Sequence, residues 1–371
     1  MVIENGLVFR DEGHFEYDKL YIENGCFSEY GGGEVLDAEG LYVIPGLVDI
    51  HLHGCAGYDF SDGTPEALAA ITKYQLINGI TAICPATMTM PEEELEAVLE
   101  NAAVYAETAG AKLLGINLEG PFLSEKRAGA QKKENFCLPD MELFERLQKK
   151  ASGKIKLVTV APEKPGAMEF IENTAKTVRV SVGHTGADYD TAREAFARGA
   201  CHVTHLYNAM EPFGHRAPGV VGAACDAENV MVELIGDGEH LHPSVVRAAF
   251  KMFGPQRIIL ISDSMRACGL TDGEYTLGGQ KVIVRGKKAM LSDGTIAGSV
   301  ANLMDMVKSV VKMGIPLGGA VKCASSNPAR ALGLGESRGS LKAGRIADAV
   351  LLDKDLNIRY ILQEGRVISC E

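Results

Sequence analysis

The amino-acid sequence predicts an α/β fold, a (β/α)8 TIM-type barrel, together with a small β-sandwich domain built from both chain termini. Three observations favour this fold. Apolar, β-rich stretches alternate with segments of helical spacing, polar side chains collect at the carboxyl ends of those stretches, and short alternating strands occur near both termini. The predicted domains are residues 1–45 plus 340–371 for the β-domain and 46–339 for the barrel.

The terminal β-domain is predicted from short alternating segments. From Val2 to about Tyr42, pieces such as GLVFRD and KLYIENGCFSEY are broken by Gly, Asn and Asp, which is typical of antiparallel strands with tight turns. The stretch ADAVLLDKDLNIRYILQEGRVI near the C-terminus has the same pattern. We therefore expect the two termini to pair in one domain.

Between the termini, candidate strands and helices alternate. The candidate strands are YVIPGLVDIHLHG, TAICPA, KLLGINLEGP, KIKLVTVAPE, TVRVSVGHT, CHVTHLYN, VMVELIGD and RIILISDSM. The candidate helices include PEALAAITKYQLINGI, PEEELEAVLENAAVYAETAG, DMELFERLQKK, DYDTAREAFARG and HPSVVRAAFKMFG. Repeated strand–helix units predict a parallel sheet, and a barrel closes it most economically. The alternative is an open doubly wound sheet.

Composition restricts the partners and the location. A net charge of −12 and a pI of about 5.3 argue against nucleic-acid or anionic-membrane binding, because both depend on Lys and Arg meeting phosphate. The nine cysteines are scattered without a CxxC pair, which is typical of a reduced cytoplasmic protein. No signal-peptide pattern or membrane-spanning apolar run is present in the sequence. We expect a soluble, cytoplasmic protein.

Histidines and one glutamate at strand ends predict a metal site. His51 and His53 stand at i and i+2, so a strand projects both side chains from one face. Glu119 ends an apolar stretch, where its carboxylate needs a cation or strong donors; a salt bridge or a helix N-cap is the alternative. His184 and His205 end two further strands. Imidazole and carboxylate ligands suit one or two divalent ions, Zn, Fe, Mn or Co, and Glu119 would bridge two.

Asp263, in LISDSM, is the remaining charged strand end. A carboxylate beside a metal can take a proton from an activated water and later hand it to a leaving group. The alternative roles for Asp263 are a helix N-cap and an acceptor from a metal-bound histidine. The proton-transfer role predicts metal-assisted hydrolysis.

Motifs throughout the chain resemble one family. VIPGLVDIHLHG, LEGPF, VGHT, THLYNAM, DGEHLHP, SDSM and GRIADAVLLD resemble the amidohydrolase superfamily and, within it, the N-acetylglucosamine-6-phosphate deacetylases. LEGPF and THLYNAM are the more specific of these motifs. The resemblance implies that Asp263 is the general base and acid. It implies a principal metal on Glu119, His184 and His205, and a second metal on His51 and His53.

The resemblance also implies a substrate and its contacts. The implied reaction converts N-acetyl-D-glucosamine 6-phosphate to D-glucosamine 6-phosphate and acetate. The galactosamine isomer and another amidohydrolase substrate are alternatives, and a structural barrel without metal is disfavoured because no ligand is missing. The implied substrate-binding residues are Gln131, Asn208, Ala209, Arg216 and His240.

Two of these positions raise further expectations. Gln131 stands where relatives commonly have a histidine that polarises the substrate carbonyl; its amide can donate a hydrogen bond but is neutral at every pH. Arg216 supplies the local cation that an acidic protein needs around a phosphate. The resemblance implies a homodimer, in which Arg216 serves its own site or that of a neighbouring subunit.

Overall fold

The structure, a computed structural model, describes residues 1–106 and 109–368. The end of the predicted β-domain, residues 369–371, therefore lies outside the described residues. None of the helices in the described residues is long and apolar enough to span a lipid bilayer.

The strands follow one another along the chain with helices between most of the central ones. In chain order the strands are β1 Val2–Phe9, β2 Phe15–Glu23, β3 Cys26–Ser28, β4 Val35–Asp37, β5 Tyr42–Pro45, β6 Leu47–Asp49, β7 Gly54–Cys55, β8 Tyr58–Asp59, β9 Ile80–Ile83, β10 Lys112–Leu113, β11 Ile116–Glu119, β12 Ile155–Val160, β13 Arg179–Val182, β14 His202–Val203, β15 Met231–Ile235, β16 Ile258–Ile261, β17 Gly273–Leu277, β18 Gln280–Arg285, β19 Lys288–Met290, β20 Ala349–Leu352, β21 Ile358–Gln363 and β22 Arg366–Ile368.

The helices are α1 Pro65–Ile77, α2 Glu92–Val104, α3 Met141–Lys150, α4 Ala167–Thr174, α5 Tyr189–Ala197, α6 Gly219–Asp226, α7 Pro243–Phe253, α8 Leu303–Lys312, α9 Leu317–Ala324 and α10 Ser326–Ala331. The five quoted helical segments form α1, α2, α3, α5 and α7, so these predictions are confirmed. The start of α1 agrees with its local sequence, because Thr64 caps the helix by accepting from Ala67 N and Pro65 is its first residue. The predicted segment 91–110 ends its helix at Val104, and residues 107 and 108 lie outside the described residues.

Strands from both ends of the chain pair in one eight-stranded sheet. Its order is β22-β21-β20-β5-β1-β2-β3, with β4 beside β1. β5 joins the two halves, because it runs parallel to β1 and antiparallel to β20, where Val43 lies opposite Leu351. Both of these side chains are fully buried. The N-terminal and C-terminal segments therefore share one hydrophobic layer.

The central part of the chain is a curled parallel sheet. Each of the eight predicted stretches contains or overlaps one of the parallel strands β6, β9 and β11 to β16. β6, β9 and β10 form one parallel set, and β11 to β16 form a second in sequence order. Ala86 bridges to Asn117 between the two sets, and Asp263 N donates to His51 O at 2.8 Å between the segments that follow β16 and β6. These contacts bring the carboxyl ends of the first and last strands together.

A three-stranded antiparallel sheet, β17 to β19, follows the last parallel strand. Val282 and Val284 alternate on its buried face and pack with Leu277, Met88 and Met265 in a small separate core. This sheet was not among the predicted elements, although the alternation in KVIVR and the Gly-Gly turn before it are typical strand and hairpin signals.

Candidate metal centre

The five predicted metal ligands and Asp263 lie at the carboxyl ends of five parallel strands. Glu119 is the last residue of β11, whereas His51 and His53 follow β6 and lie beyond its last residue. His184, His205 and Asp263 each stand two positions after a strand, and all three are buried.

Those three residues share an unusual backbone conformation. The φ angles are 46° at His184, 26° at His205 and 46° at Asp263, within the left-handed region that side chains other than glycine rarely adopt. The same left-handed conformation therefore recurs two positions after the strand at all three sites. Such strain costs on the order of 1–3 kcal/mol per residue and clusters at functional sites.

Glu119, His184 and His205 form one compact triad. Glu119 Oε1 lies 3.1 Å from Nε2 of each histidine, and the two Nε2 atoms are 3.0 Å apart. A tetrahedral ion with bonds of about 2.0–2.1 Å holds its ligand atoms about 3.3 Å apart, so these spacings suit a shared cation. Two buried imidazole lone pairs and a carboxylate converging in this way repel one another unless a proton or a metal ion lies between them.

His51, His53 and Asp263 form a second triad beside the first. Asp263 Oδ1 lies 3.3 Å from His53 Nε2 and 3.7 Å from His51 Nε2. Glu119 also reaches this triad, with 3.2 Å from Oε2 to His53 Nε2 and 3.4 Å from Oε1 to His51 Nε2. His51 Nε2 is buried and makes no hydrogen bond within the described residues. The donor set and this orphaned nitrogen fit a divalent ion, with Glu119 placed between the two positions.

Hydrogen bonds on the outer side fix three of the four rings. His51 Nδ1 donates to Glu233 Oε2 at 2.9 Å, His53 Nδ1 to Ala86 O at 3.2 Å, and His184 Nδ1 to Arg127 O at 3.0 Å. Because carbonyl and carboxylate oxygens only accept, the proton of each neutral ring is on Nδ1. The Nε2 lone pairs therefore face the centre, as metal ligation requires.

The electrostatics of the cluster favour positive charge at its centre. Burial alone would raise the pKa of Glu119, but His51, His184 and His205 hold it well below its usual range. Burial likewise opposes ionisation of Asp263, whose pKa is nevertheless lowered by the hydrogen bond to His53 and the charge of His51. Despite its burial, the pKa of His53 is raised to about 10 by Asp263 and Glu119. A divalent ion would supply the charge that imidazolium protons supply here.

The two triads open into a cavity of about 270 Å³. Four of the predicted substrate residues line it, namely Gln131, Asn208, Ala209 and His240. His240 Nδ1 contacts Asp237 Oδ2 at 2.7 Å, and although burial lowers it, the pKa of His240 is raised by this carboxylate. The cavity thus contains a positively polarised imidazole on the wall formed by the loop after β15.

Gln131 is oriented by three hydrogen bonds. Its Nε2 donates to Glu119 Oε2 at 2.8 Å, and its Oε1 accepts from Thr89 N at 2.8 Å and Thr89 Oγ1 at 2.9 Å. The amide is therefore directed at a carboxylate of the metal centre.

Arg216 lies elsewhere. It is exposed on the loop that precedes α6 and is not among the described residues that line the 270 Å³ cavity. The cavity of one chain therefore lacks the arginine that was expected to meet a phosphate.

Three polar residues beside the candidate metal centre were not predicted from the sequence, namely Glu233, Asp49 and His202. All three are fully buried. Glu233 contacts His51 and His202, and Asp49 Oδ1 accepts from His51 N at 3.2 Å. A signal existed in the sequence, since Glu233 is the one charged residue inside the otherwise apolar strand MVELI.

Comparisons with known proteins identify relatives along the whole chain. The amidohydrolase family model matches residues 42–369. The N-acetylglucosamine-6-phosphate deacetylase of Bacillus subtilis is 40% identical over 373 residues, 99% of this chain and 93% of that protein. The N-acetylgalactosamine-6-phosphate deacetylase of Escherichia coli O157:H7 is 33% identical over 365 residues, 97% of each.

A solved structure is also similar over its whole length. It is a variant of the N-acetyl-D-glucosamine-6-phosphate deacetylase of Mycobacterium smegmatis in complex with N-acetyl-D-glucosamine-6-phosphate. It superimposes with a TM-score of 0.91 at 34% sequence identity, covering 99% of this chain and 98% of that one.

Proposed function

The chain belongs to the amidohydrolase family, and from that membership we propose that it hydrolyses the acetamide of N-acetyl-D-glucosamine 6-phosphate to D-glucosamine 6-phosphate and acetate. It is a hydrolytic enzyme that acts on an amide. The observation that carries the proposal is the pair of triads joined by Glu119 at the base of a cavity of about 270 Å³. N-acetylgalactosamine 6-phosphate is the second candidate substrate, because one of the full-length relatives is named for it.

The metal ligands are proposed from the two triads. Glu119, His184 and His205 would hold a principal divalent ion, and His51 with His53 would hold a second. Zn, Fe, Mn and Co all suit this donor set. When bound, such an ion polarises a carbonyl and lowers the pKa of water.

Asp263 is the proposed proton carrier. Its pKa is lowered by the neighbouring histidines, so it is ionised at neutral pH and can accept a proton. It takes this proton from the water that adds to the acetamide carbon. It then delivers the proton to the amine nitrogen as the C–N bond breaks and acetate leaves, so the carboxylate is regenerated.

The proposed substrate contacts divide between two subunits. Asn208, Ala209 and His240 line the cavity and would bind the sugar and its phosphate, and Gln131 adjoins the reacting amide. Arg216 is exposed and does not line the cavity of its own chain. We therefore propose a homodimer in which Arg216 reaches the phosphate in the neighbouring subunit's site.

The finer description of the fold and the location is likewise proposed. We propose a closed (β/α)8 barrel over residues 46–339 and a β-sandwich from residues 1–45 plus 340–371. The contacts at both edges of the six-stranded sheet support closure of the barrel. The scattered cysteines support a cytoplasmic location.

A single assay tests the function. Acetate release is measured with N-acetylglucosamine 6-phosphate, its galacto isomer and unphosphorylated N-acetylglucosamine, before and after chelation and metal add-back. Metal-dependent release from the phosphorylated gluco sugar, in preference to the other two, is the expected result. Faster release from the galacto isomer would establish the second candidate, and no release from any of the three with metal bound would refute both.

A further inference from the structure

We infer that Glu233 is a positioning residue that holds one ligand of each triad in its metal-binding orientation and so couples the two metal positions. The inference rests on the proposed function, because it assumes that the triads bind metal. It concerns a residue outside both triads. Glu233 is not among the described residues that line the 270 Å³ cavity.

The contacts of Glu233 extend to both triads at once. It lies in the middle of β15 and is fully buried. Its Oε2 accepts from His51 Nδ1 at 2.9 Å and from the backbone N of His205 at 3.0 Å. The Glu233 backbone oxygen accepts from Leu206 N at 2.8 Å. This bond holds the backbone directly after His205, whose φ is in the left-handed region. One carboxylate oxygen therefore joins a ligand of the second triad to a ligand of the first.

The other oxygen of Glu233 is held by a histidine whose proton position is determined. Glu233 Oε1 lies 3.0 Å from His202 Nε2, and Arg179 Nε lies 2.9 Å from His202 Nδ1. A guanidinium has no acceptor, so His202 Nδ1 must accept and the ring proton of the neutral histidine is on Nε2. His202 then donates to Glu233. All three side-chain contacts of Glu233 require an acceptor.

An amide cannot meet this requirement, although it has the same shape. If the oxygen of glutamine faced His51 and His205, its NH2 group would face the Nε2–H of His202. Moving the His202 proton to Nδ1 would relieve that contact but would oppose the Nε–H of Arg179. In the reversed orientation, the NH2 group of glutamine would face His51 Nδ1–H. This contact would favour the His51 tautomer with its proton on Nε2, the nitrogen that faces the metal position. The first arrangement opposes two donors at His202, and the second weakens the ligand geometry of His51 directly.

The test compares Glu233→Gln with the matched control Asp49→Asn in the full chain. Asp49 is also fully buried and accepts from the backbone N of His51, but within the part of the chain that the structure describes it makes no hydrogen bond to an imidazole nitrogen. Zinc affinity is measured by competition with a chromophoric chelator, and zinc per chain by elemental analysis after dialysis. Circular dichroism and thermal melting check that both variants are folded. These readouts need no catalysis.

We expect Glu233→Gln to weaken zinc binding at the position that includes His51 by about 10–100-fold, the usual effect of losing an outer partner of a ligand. Asp49→Asn should change that affinity by less than about 3-fold, because no ring loses its partner. Equal affinities in the wild type and Glu233→Gln would overturn the inference, and so would equal losses in both variants.

A second measurement uses the wild-type chain and does not depend on the folding of a variant. Long-range ¹H–¹⁵N spectra of the zinc-loaded chain with ¹⁵N-labelled histidine report which ring nitrogen carries the proton. We expect Nδ1–H for His51 and Nε2–H for His202, and the opposite tautomer at either residue would overturn the inference. A chain that binds zinc with these tautomers but releases no acetate would refute the proposed function and leave the role of Glu233 standing.

Discussion

Replacement of Asp263 by asparagine removes the proposed proton carrier and leaves its surroundings in place. Asparagine has the same shape and tolerates the left-handed φ of 46° at this position better than most residues. The backbone is held independently of the side chain, because Asp263 N donates to His51 O at 2.8 Å and Asp263 O accepts from Ser299 N at 2.7 Å. The variant should therefore fold and keep both triads.

The expected loss follows from the contacts of the carboxylate. The Asp263 side chain is only 11% exposed, so water from the solvent can hardly take over its role as proton carrier. Removal of a positioned general acid–base typically costs about 10²–10⁴-fold in rate. This range corresponds to about 3–5 kcal/mol of activation free energy. The carboxylate oxygen lies 3.3 Å from His53 Nε2, and the carbonyl oxygen of asparagine can occupy the same place, so metal loss should be small.

Three measurements separate the proton-transfer role from a structural one. We expect kcat for acetate release to fall by about 10²–10⁴-fold, whereas metal per chain and the calorimetric Kd for the sugar phosphate should stay within about 3-fold of wild type. A kcat within about 10-fold of wild type would refute the assignment of Asp263 as the base. A parallel loss of metal would show that Asp263 acts mainly as a ligand, since it is a member of the second triad.

Three further predictions concern the metal centre. His51→Gln combined with His53→Asn should leave an enzyme with one metal ion per chain by elemental analysis; loss of all metal would contradict the division into two positions. Gln131→Ala should lower kcat by less than about 10-fold if the metals dominate carbonyl activation, against about 10²–10³-fold for loss of a principal oxyanion donor. The metal-free chain should become less stable as the pH rises from about 6.5 to about 10, because the pKa of His53 is raised in the folded state and the stabilisation from its proton is lost through that interval. Thermal melting of the chelated and metal-loaded chains checks this prediction, and a melting temperature of the chelated chain that rises with pH would contradict it.

The polar residues at the strand ends were predictable because charged and imidazole side chains stand out directly after apolar segments. Glu119 closes a buried strand, and the HLH spacing places two imidazoles side by side, so local sequence was sufficient to nominate both. The parallel strands and the helices between them were also predictable, since hydrophobic period depends on neighbouring residues alone. The β17 to β19 sheet carried the same kind of signal and was overlooked.

Orientation at the site could not be predicted in the same way. The Gln131 amide is directed at Glu119 because Thr89, which is 42 positions away in the sequence, holds its oxygen. Arg216 belongs to a loop whose path depends on how that loop packs, and it lies outside the cavity of its own chain. Neither property is encoded in the spacing of a motif.

The sequence alone nominated the side chains proposed to carry the chemistry, because residue type and hydrophobic pattern can be read from neighbouring residues. The tertiary structure alone decided which of them meet and which atoms they present. His51 and Glu233 are 182 positions apart, and only the curled sheet brings their side chains to 2.9 Å. The left-handed turns at His184, His205 and Asp263 direct the side chains inward, and these turns persist only because contacts from other strands offset their strain.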